Sequence, residues 1–263
     1  MKKTLLSLLL VVSSVLSFGA TQRVPLEKLG PRGNGRELYL EGQAKPYSGE
    51  VERKYPNGKL LGVATMKDGK LEGKAYEYYE SGKVFKEEIY VNGTANGVAK
   101  SYYENGKVQY ETKFVNGKRE GIEKGYTNTG VLVSEIPYKN GEATGLAKFY
   151  NEQTGKLEYE TNAINGLRNG LSKEYYPSGK VANEVNFKND IEDGITKIYY
   201  ESGKLKGEAT YKNGQLDGLA KIYDENGKVV EKETYKNGKK IKSSWKMGYC
   251  KKNAVAIFTK TLF

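Results

Sequence analysis

Between residues 45 and 240 the chain is built from short runs in which apolar or aromatic side chains alternate with polar ones, broken at regular intervals by glycine. The stretch from Gly97 reads Gly-Val-Ala-Lys-Ser-Tyr-Tyr-Glu, breaks at Asn105-Gly106, resumes as Lys-Val-Gln-Tyr-Glu-Thr-Lys-Phe-Val and breaks again at Asn116-Gly117. Alternation with a period of two is the mark of a half-buried strand, and Tyr, Val and Thr suit a pleated surface. Asn-Gly between two such runs predicts a hairpin closed by a tight two-residue turn, with positive φ at both central residues. Asn116-Gly117 then passes the chain into the next hairpin, so the pattern predicts a continuous antiparallel meander.

The hairpin recurs eight times at a period of 24 residues, marked by Gly58, Gly82, Gly106, Gly130, Gly155, Gly179, Gly203 and Gly227, with one step of 25 into Gly155. A second mark, Asn-Gly or Asp-Gly, ends at Gly69, Gly93, Gly117, Gly141, Gly166, Gly214 and Gly238; Asn189-Asp190 replaces it in the remaining copy. A fixed period of this size signals an array in which each unit contacts mainly its neighbours. The expected fold is all-β: an elongated meander of about eight hairpins forming a twisted, curved single-layer antiparallel sheet. Sixteen strands at about 4.8 Å each would extend on the order of 75 Å.

Register follows from the turns. A two-residue turn at Asn105-Gly106 sets Tyr103 opposite Val108 and Lys100 opposite Glu111. The same arithmetic pairs Lys124 with Glu135, Lys173 with Glu184 and Lys197 with Glu208; Lys148 and Glu160 sit one residue further apart, matching the longer loop. Opposite charges facing each other across strands contribute about 0.2–1 kcal/mol each. A slip of one residue would turn every side chain to the other face, so these pairs read as register devices. The end copies break the rule, with Lys221 meeting Lys232 and Glu52 meeting Val63. One face of the Gly97 hairpin is expected to carry Ala99, Tyr103, Val108 and Phe114, and that of the Gly194 hairpin Thr196, Ile198, Tyr200, Leu205, Ala209 and Tyr211. The opposite face carries an aliphatic residue (Val98, Ile195), the Lys–Glu pair and a tyrosine. That tyrosine stands five residues after the opening glycine in seven copies, as Tyr78, Tyr102, Tyr126, Tyr150, Tyr175, Tyr199 and Tyr223, with Lys54 the exception.

The two ends differ from the array. Residues 1–20 combine Met-Lys-Lys, an apolar run from Leu5 to Leu16 and small residues at Gly19 and Ala20, which together read as a secretory signal peptide. Residues 21–44, with Pro25, Pro31 and a Gly-rich stretch, read as a linker or an irregular N-terminal cap. Residues 241–263 leave the repeat: Trp245, Met247 and Tyr249 alternate ahead of Cys250, and the segment reads as a capping strand pair. Export implies a periplasmic, cell-surface or secreted protein, with no transmembrane segment once the signal is cleaved.

Composition narrows the chemistry. Histidine is absent and cysteine occurs once, which removes His-dependent triads, His-ligated zinc and CxxC redox sites. There is no Gly-rich phosphate loop of either common spacing and no EF-hand pattern, so no cofactor and no metal is expected. With 27 Glu against 5 Asp, paired carboxylates are the main catalytic material left. The Glu positions follow the repeat, however, whereas an acid and its base need different environments. The formal charge of +11 favours acidic partners, including an anionic lipid surface, but lysines spread through the array and no Arg cluster forms, so nucleic acid is not expected.

The pattern Gly-x-Ala-Lys-x-Tyr-Tyr-x-x-Gly-Lys-Val, seen from Gly97 to Val108, resembles the MORN-repeat family, more specifically the bacterial MORN variant found in YwqK-type antitoxins. The resemblance covers residues 45–240. It implies stacked β-hairpins, no catalytic residues, and a role in scaffolding, protein binding or phospholipid contact. Two features depart from the family: its usual form carries a Trp in the second half of the unit, whereas the single Trp here is Trp245, and antitoxins acting on internal toxins are cytoplasmic, whereas this chain begins with an export signal. The functional expectation is an exported, non-enzymatic scaffold that binds a protein, an envelope polymer or a membrane surface through a repeated Tyr/Lys face, with Tyr102, Tyr126, Tyr150, Tyr175 and Tyr199 as the contact row. An immunity-type protein that neutralises a toxin and an anionic-lipid binder are the alternatives.

Overall fold

The computed structural model describes residues 23–33, 35–245 and 258. The expected signal peptide, Met247, Tyr249 and Cys250 lie outside the described residues. The array is one long, open antiparallel sheet. It runs strand by strand in chain order from Gly49–Lys54 to Lys239–Trp245, and Val24–Pro25 adds in parallel beside the first strand through Val24 and Val51. The sheet holds 22 strands rather than sixteen. The surplus arises partly because several leading strands are interrupted one residue before their glycine, as where Thr94–Ala95 and Gly97–Tyr102 both pair with Val84–Val91.

The two kinds of turn are built differently. At Asn116-Gly117 both residues are left-handed, with φ of 49° and 77°, as a primed hairpin turn requires. Asn189 and Asp190 reproduce this with φ of 50° and 66°, Asp being among the few non-glycine residues that tolerate the region. Asn105-Gly106 does not form the expected two-residue turn. Gly106 N–H donates to Tyr103 O at 2.8 Å and Tyr103 N–H donates to Lys107 O at 2.9 Å, so three residues form the loop and only Gly106 is left-handed, at φ 84°. This is a type I turn followed by a glycine bulge. A Cβ on Gly106 would meet nothing within 4 Å, so backbone conformation alone calls for glycine there.

A second irregularity follows in the returning strand, between Val108 and Tyr110. It restores the register, so Lys100 faces Glu111 as expected, but Val108 faces Tyr102 rather than Tyr103. Leu205 likewise faces Tyr199. Val108 and Leu205 therefore sit beside the ladder tyrosines, not on the face assigned to them from a bulge-free register. The remaining pairs, Lys124–Glu135, Lys148–Glu160, Lys173–Glu184 and Lys197–Glu208, are in register, as are Lys221–Lys232 and Glu52–Val63 at the ends.

The inner face is lined along its middle by small side chains. Ala99, Ala147, Ser172, Thr196 and Ala220 are buried, and their cross-strand partners include Thr112, Thr161 and Ala209, buried as well. Chain from outside the repeats covers this face at both ends. Residues 23–47 form a cap, with a hairpin of Leu29–Pro31 and Leu38–Leu40, whose Leu26, Leu29, Leu38 and Leu40 pack on Tyr47, Val51 and Met66. At the other end Phe258, 3% exposed, sits in a cluster with Ile198, Ala209, Leu216, Ala220, Ile222 and Tyr235.

Candidate functional site

The sheet brings the Lys–Glu pairs of separate hairpins into one row. Besides the pairs within hairpins, Glu87 faces Lys100, Glu111 faces Lys124, Glu135 faces Lys148, Glu160 faces Lys173, Glu184 faces Lys197 and Glu208 faces Lys221. The result is an unbroken alternation of sign from Glu87 to Lys221 across the outer face. Each Lys from Lys100 to Lys197 has a Glu on both sides, so a strand shifted by one position loses complementarity with two neighbours at once. Direct ion pairs form at Lys100–Glu111, 3.0 Å, and Lys221–Glu208, 2.8 Å. At these exposures each is worth less than about 1 kcal/mol, and the register they enforce matters more than their sum.

The predicted tyrosine row is beside this ladder and half-buried. Its hydroxyls are engaged: Tyr102 donates to Glu87 at 2.9 Å, Tyr150 to Glu135 at 2.7 Å, Tyr175 to Glu160 at 2.8 Å, Tyr199 to Glu184 at 2.8 Å and Tyr223 to Glu208 at 2.8 Å. Tyr126 holds the equivalent place in its repeat. Burial, reinforced by the bonded carboxylate and its charge, pushes the phenols of Tyr102, Tyr150, Tyr175 and Tyr199 up to about 12. Each of the five bonded tyrosines therefore ties one repeat to the glutamate of the preceding one. It offers a visitor part of its ring and not its hydroxyl.

What the outer face leaves open is the aliphatic position two residues before each ladder lysine. Val98, Ile122, Leu146, Ile195 and Leu219 are 42%, 55%, 42%, 48% and 39% exposed. They recur every second strand, about 10 Å apart, save that the less exposed Leu171 stands between Leu146 and Ile195. Pro137 faces Ile122, which makes Ile122, Pro137 and Leu146 the most continuous apolar segment. The charge of the sheet itself is modest. Lys2, Lys3, Lys246, Lys251, Lys252 and Lys260 lie outside the described residues while every Asp and Glu lies within them, so more than half of the +11 excess belongs to the chain ends.

Two features escaped the sequence reading. The first is an inner-face aromatic column, Tyr90, Phe114, Tyr138, Phe187, Tyr211 and Tyr235, each two residues before the Asn that opens a tight turn; Ala163 interrupts it. That spacing was a usable signal. The second is a tyrosine staple: Tyr55, Tyr79, Tyr103, Tyr176 and Tyr200 each donate a hydroxyl bond of 2.6–2.8 Å to the backbone carbonyl of the ladder residue one repeat on. Among the described residues no group of three or more Asp, Glu, Cys or His is placed to hold a metal ion, and no helix is long and apolar enough to cross a membrane.

No curated protein matches the chain. Among solved structures, the crystal structure of TarM is 15% identical over 47% of this chain and 19% of that one, with a TM-score of 0.24. A Photorhabdus luminescens Tc holotoxin pore is 13% identical over 79% and 16%, with a TM-score of 0.19. The TcdB2-TccC3-Cdc42 crystal structure is 12% identical over 71% and 14%, with a TM-score of 0.15. The chain thus spans 14–19% of the length of these structures. Copies of the MORN repeat variant match residues 47–68, 71–92, 95–116, 119–140, 168–189, 192–213 and 216–237, leaving the fifth hairpin as the gap between the fourth and fifth matches. These copies cover more than half of the sequence, and the chain belongs to the MORN repeat variant family.

Proposed function

We propose that this protein is an exported, non-enzymatic scaffold that uses the outer face of its sheet to hold a protein or an envelope polymer. The observation that carries the reading is the exposed aliphatic row beside the charge ladder. Five repeats present the same half-exposed apolar side chain, one repeat apart except across the sixth hairpin, where Leu171 is less exposed, and flanked by tyrosine rings and by charges that already neutralise one another. Such a surface makes many weak, equivalent contacts, and equivalent contacts on one rigid body add through effective concentration. Export is supported by the sequence of residues 1–20, and the absence of catalysis by the repetition of every carboxylate environment along the ladder.

The expected contact row is thereby refined. The tyrosines hold the sheet together through Glu, and the aliphatic residues next to them meet the partner. An electrostatic attachment to anionic lipid is the weaker reading, because the ladder is balanced and the basic excess lies mainly off the sheet.

The test replaces Ile122, Leu146 and Ile195 together with Ser. These side chains are exposed, so the melting curve should stay close to that of the parent. Binding to a cell-envelope fraction, measured separately on its protein, glycan and lipid components, should fall at least tenfold for the component that is the partner. Undiminished binding by the folded triple variant would sink the outer-face reading. Binding only to anionic vesicles, and only at low salt, would transfer the function to the lipid alternative.

A further inference from the structure

The inner face has one place unlike the rest, at the fifth and sixth hairpins. There the groove between the covered ends has a volume of about 700 Å³ and is lined by Phe149, Tyr159, Glu158, Arg168, Glu174 and Asn183, among others. Phe149 and Tyr159 face each other across neighbouring strands, their ring centroids 5.9 Å apart and tilted by 34°. No other hairpin has two aromatic residues at this pair of positions: the equivalents are Arg53–Gly62, Glu77–Lys86, Ser101–Tyr110, Gly125–Ser134, Glu174–Asn183, Ile198–Gly207 and Ile222–Glu231. The same hairpin has the extra loop residue, interrupts the aromatic column with Ala163, and is the one that falls between matched family copies. The aromatic pair and Ala163 are departures unrelated to the length of the loop, and both lie in this one hairpin, which sets the site apart from the other repeats.

The floor of the groove is closed: buried Thr161 and Ser172 bond to each other at 2.5 Å, and Phe187 is buried under the Arg168 guanidinium, 4.0 Å from its ring centre. Arg168 is neutralised by Asp190 at 3.0 Å and its side chain interacts with that of Tyr159. The polar groups left at the rim are the exposed carboxylates of Glu158 and Glu174 and the amide of Asn183, which bonds Glu174. We propose that this groove binds a neutral saccharide, with a sugar ring stacked on Phe149 and Tyr159 and its hydroxyls bonded by Glu158, Glu174 and Asn183.

The chemistry of the groove selects this ligand over a peptide or a polyanion. On the face of a sheet, backbone N–H and C=O groups are spent on neighbouring strands, so an extended peptide would bury its own backbone groups without partners, at about 1–3 kcal/mol each. A saccharide carries its polar groups around the rim of the ring and an apolar C–H surface on its face, which matches two aromatic rings bordered by carboxylates and an amide. Two carboxylates that form no ion pair among the described residues repel an anionic polymer and accept hydroxyl protons. This site is distinct from the outer face and does not depend on the reading given above.

The test is calorimetric titration of the purified chain with two neutral probes, chitohexaose and cellohexaose. At least one should bind saturably. Tyr159→Ala should weaken that binding at least tenfold and Asn183→Ala several-fold, while the outer-face Ile122, Leu146 and Ile195 triple Ser variant should bind as the parent does. If Tyr159→Ala disturbs folding, Tyr159→Leu keeps the bulk without the ring, and amide shifts induced by the sugar should centre on residues 149, 159 and 183. The inference is overturned if neither probe binds at millimolar concentration, if Tyr159→Leu binds undiminished, or if the shifts fall on the outer face.

Discussion

The flanking repeats and the central ones share a backbone and differ in what joins them. From Tyr55 to Tyr126, and again from Tyr176 to Tyr223, each loop is stapled to the next repeat by a tyrosine hydroxyl on a backbone carbonyl. In the centre the stapling position is Thr127 and then Asn151, and both turn inward on their own loops: Thr127 accepts from Val131 N–H at 3.0 Å, and Asn151 accepts from Gln153 N–H at 3.1 Å and Thr154 N–H at 2.9 Å. Lysines make a second tie in several repeats, such as Lys107 to Thr129 O and Lys156 to Pro177 O. At the joint between the fourth and fifth loops that lysine is replaced by Val131, and among the described residues neither tie is present. The same stretch has the inner-face groove, which no described residue from outside the repeats covers. Stability in a repeat array is a sum of unit and interface terms, so this molecule has concentrated its interface terms at the ends and left its specialised hairpin the least tied.

The largest expected effect compares the covered end with the open centre. Phe258 is almost fully buried against the last repeats, whereas Phe149 is half-exposed on the groove. Phe258→Ala should cost about 3–5 kcal/mol, and Phe149→Ala distinctly less. The loss should be local. Hydrogen exchange should accelerate around residues 198–235 in the first variant and leave residues 49–126 unchanged. Uniform acceleration would mean that the array unfolds as one unit and that the distinction between end and centre has no energetic content.

A smaller effect tests whether the two regions share anything. The tyrosine ladder is present in the centre as well as the flanks, Tyr150 bonding Glu135 and Tyr175 bonding Glu160 as Tyr102 and Tyr199 bond Glu87 and Glu184. Burial raises the folded-state phenols of Tyr102, Tyr150, Tyr175 and Tyr199 to about 12, against an unfolded value of about 10. Below pH 10 the phenols are neutral in both states and this contribution to stability is complete. Between pH 10 and 12 the unfolded chain releases protons that the folded chain retains, so stability falls as pH rises. Denaturation midpoints should decline across that window in step with delayed phenolate absorbance. Tyr150→Phe and Tyr102→Phe should each remove a similar share of the decline, because the ladder treats centre and flank alike.

How much of this was readable beforehand depends on whether a feature repeats. The Lys–Glu register was legible because one slip would break every pair of a strand, and the positions of Lys100 and Glu111 are insensitive to how the loop is closed. Tyr103 and Val108 are next to that loop, so the extra loop residue and the compensating bulge between Val108 and Tyr110 mispaired them. Both turns are written Asn-Gly in this copy, but elsewhere the first mark has Ser or Thr before its glycine, as at Ser81, Thr129 and Ser178, and these residues do not readily take the positive φ that a two-residue turn needs there. The groove was invisible for the opposite reason. Phe149 and Tyr159 are ten residues apart and unremarkable singly; the register of Lys148 with Glu160 already sets them opposite each other, but the pair occurs in one hairpin only and so carries no periodic signal. Phe258 over Ile198 and Ile222 is a long-range contact with no periodic signal.

The smallest effect acts on the staple itself. Tyr103→Phe keeps the ring and deletes the hydroxyl that bonds Tyr126 O at 2.8 Å, which should cost about 1 kcal/mol, the usual net worth of one hydrogen bond. The reciprocal change, Thr127→Tyr, puts a staple 23 residues before Tyr150, the separation at which every existing staple acts. It forfeits the bond from Val131 N–H, so its net gain should be a few tenths of a kcal/mol, about the difference between a bond lost and a bond formed. Hydrogen exchange at residues 145–150 should slow in this variant and quicken at residues 121–126 in Tyr103→Phe. If Thr127→Tyr leaves exchange at residues 145–150 untouched while Tyr103→Phe behaves as described, the central joint is loose for a reason other than its missing hydroxyl. The substitution of Lys by Val131 on the same loop would then be the element to reverse.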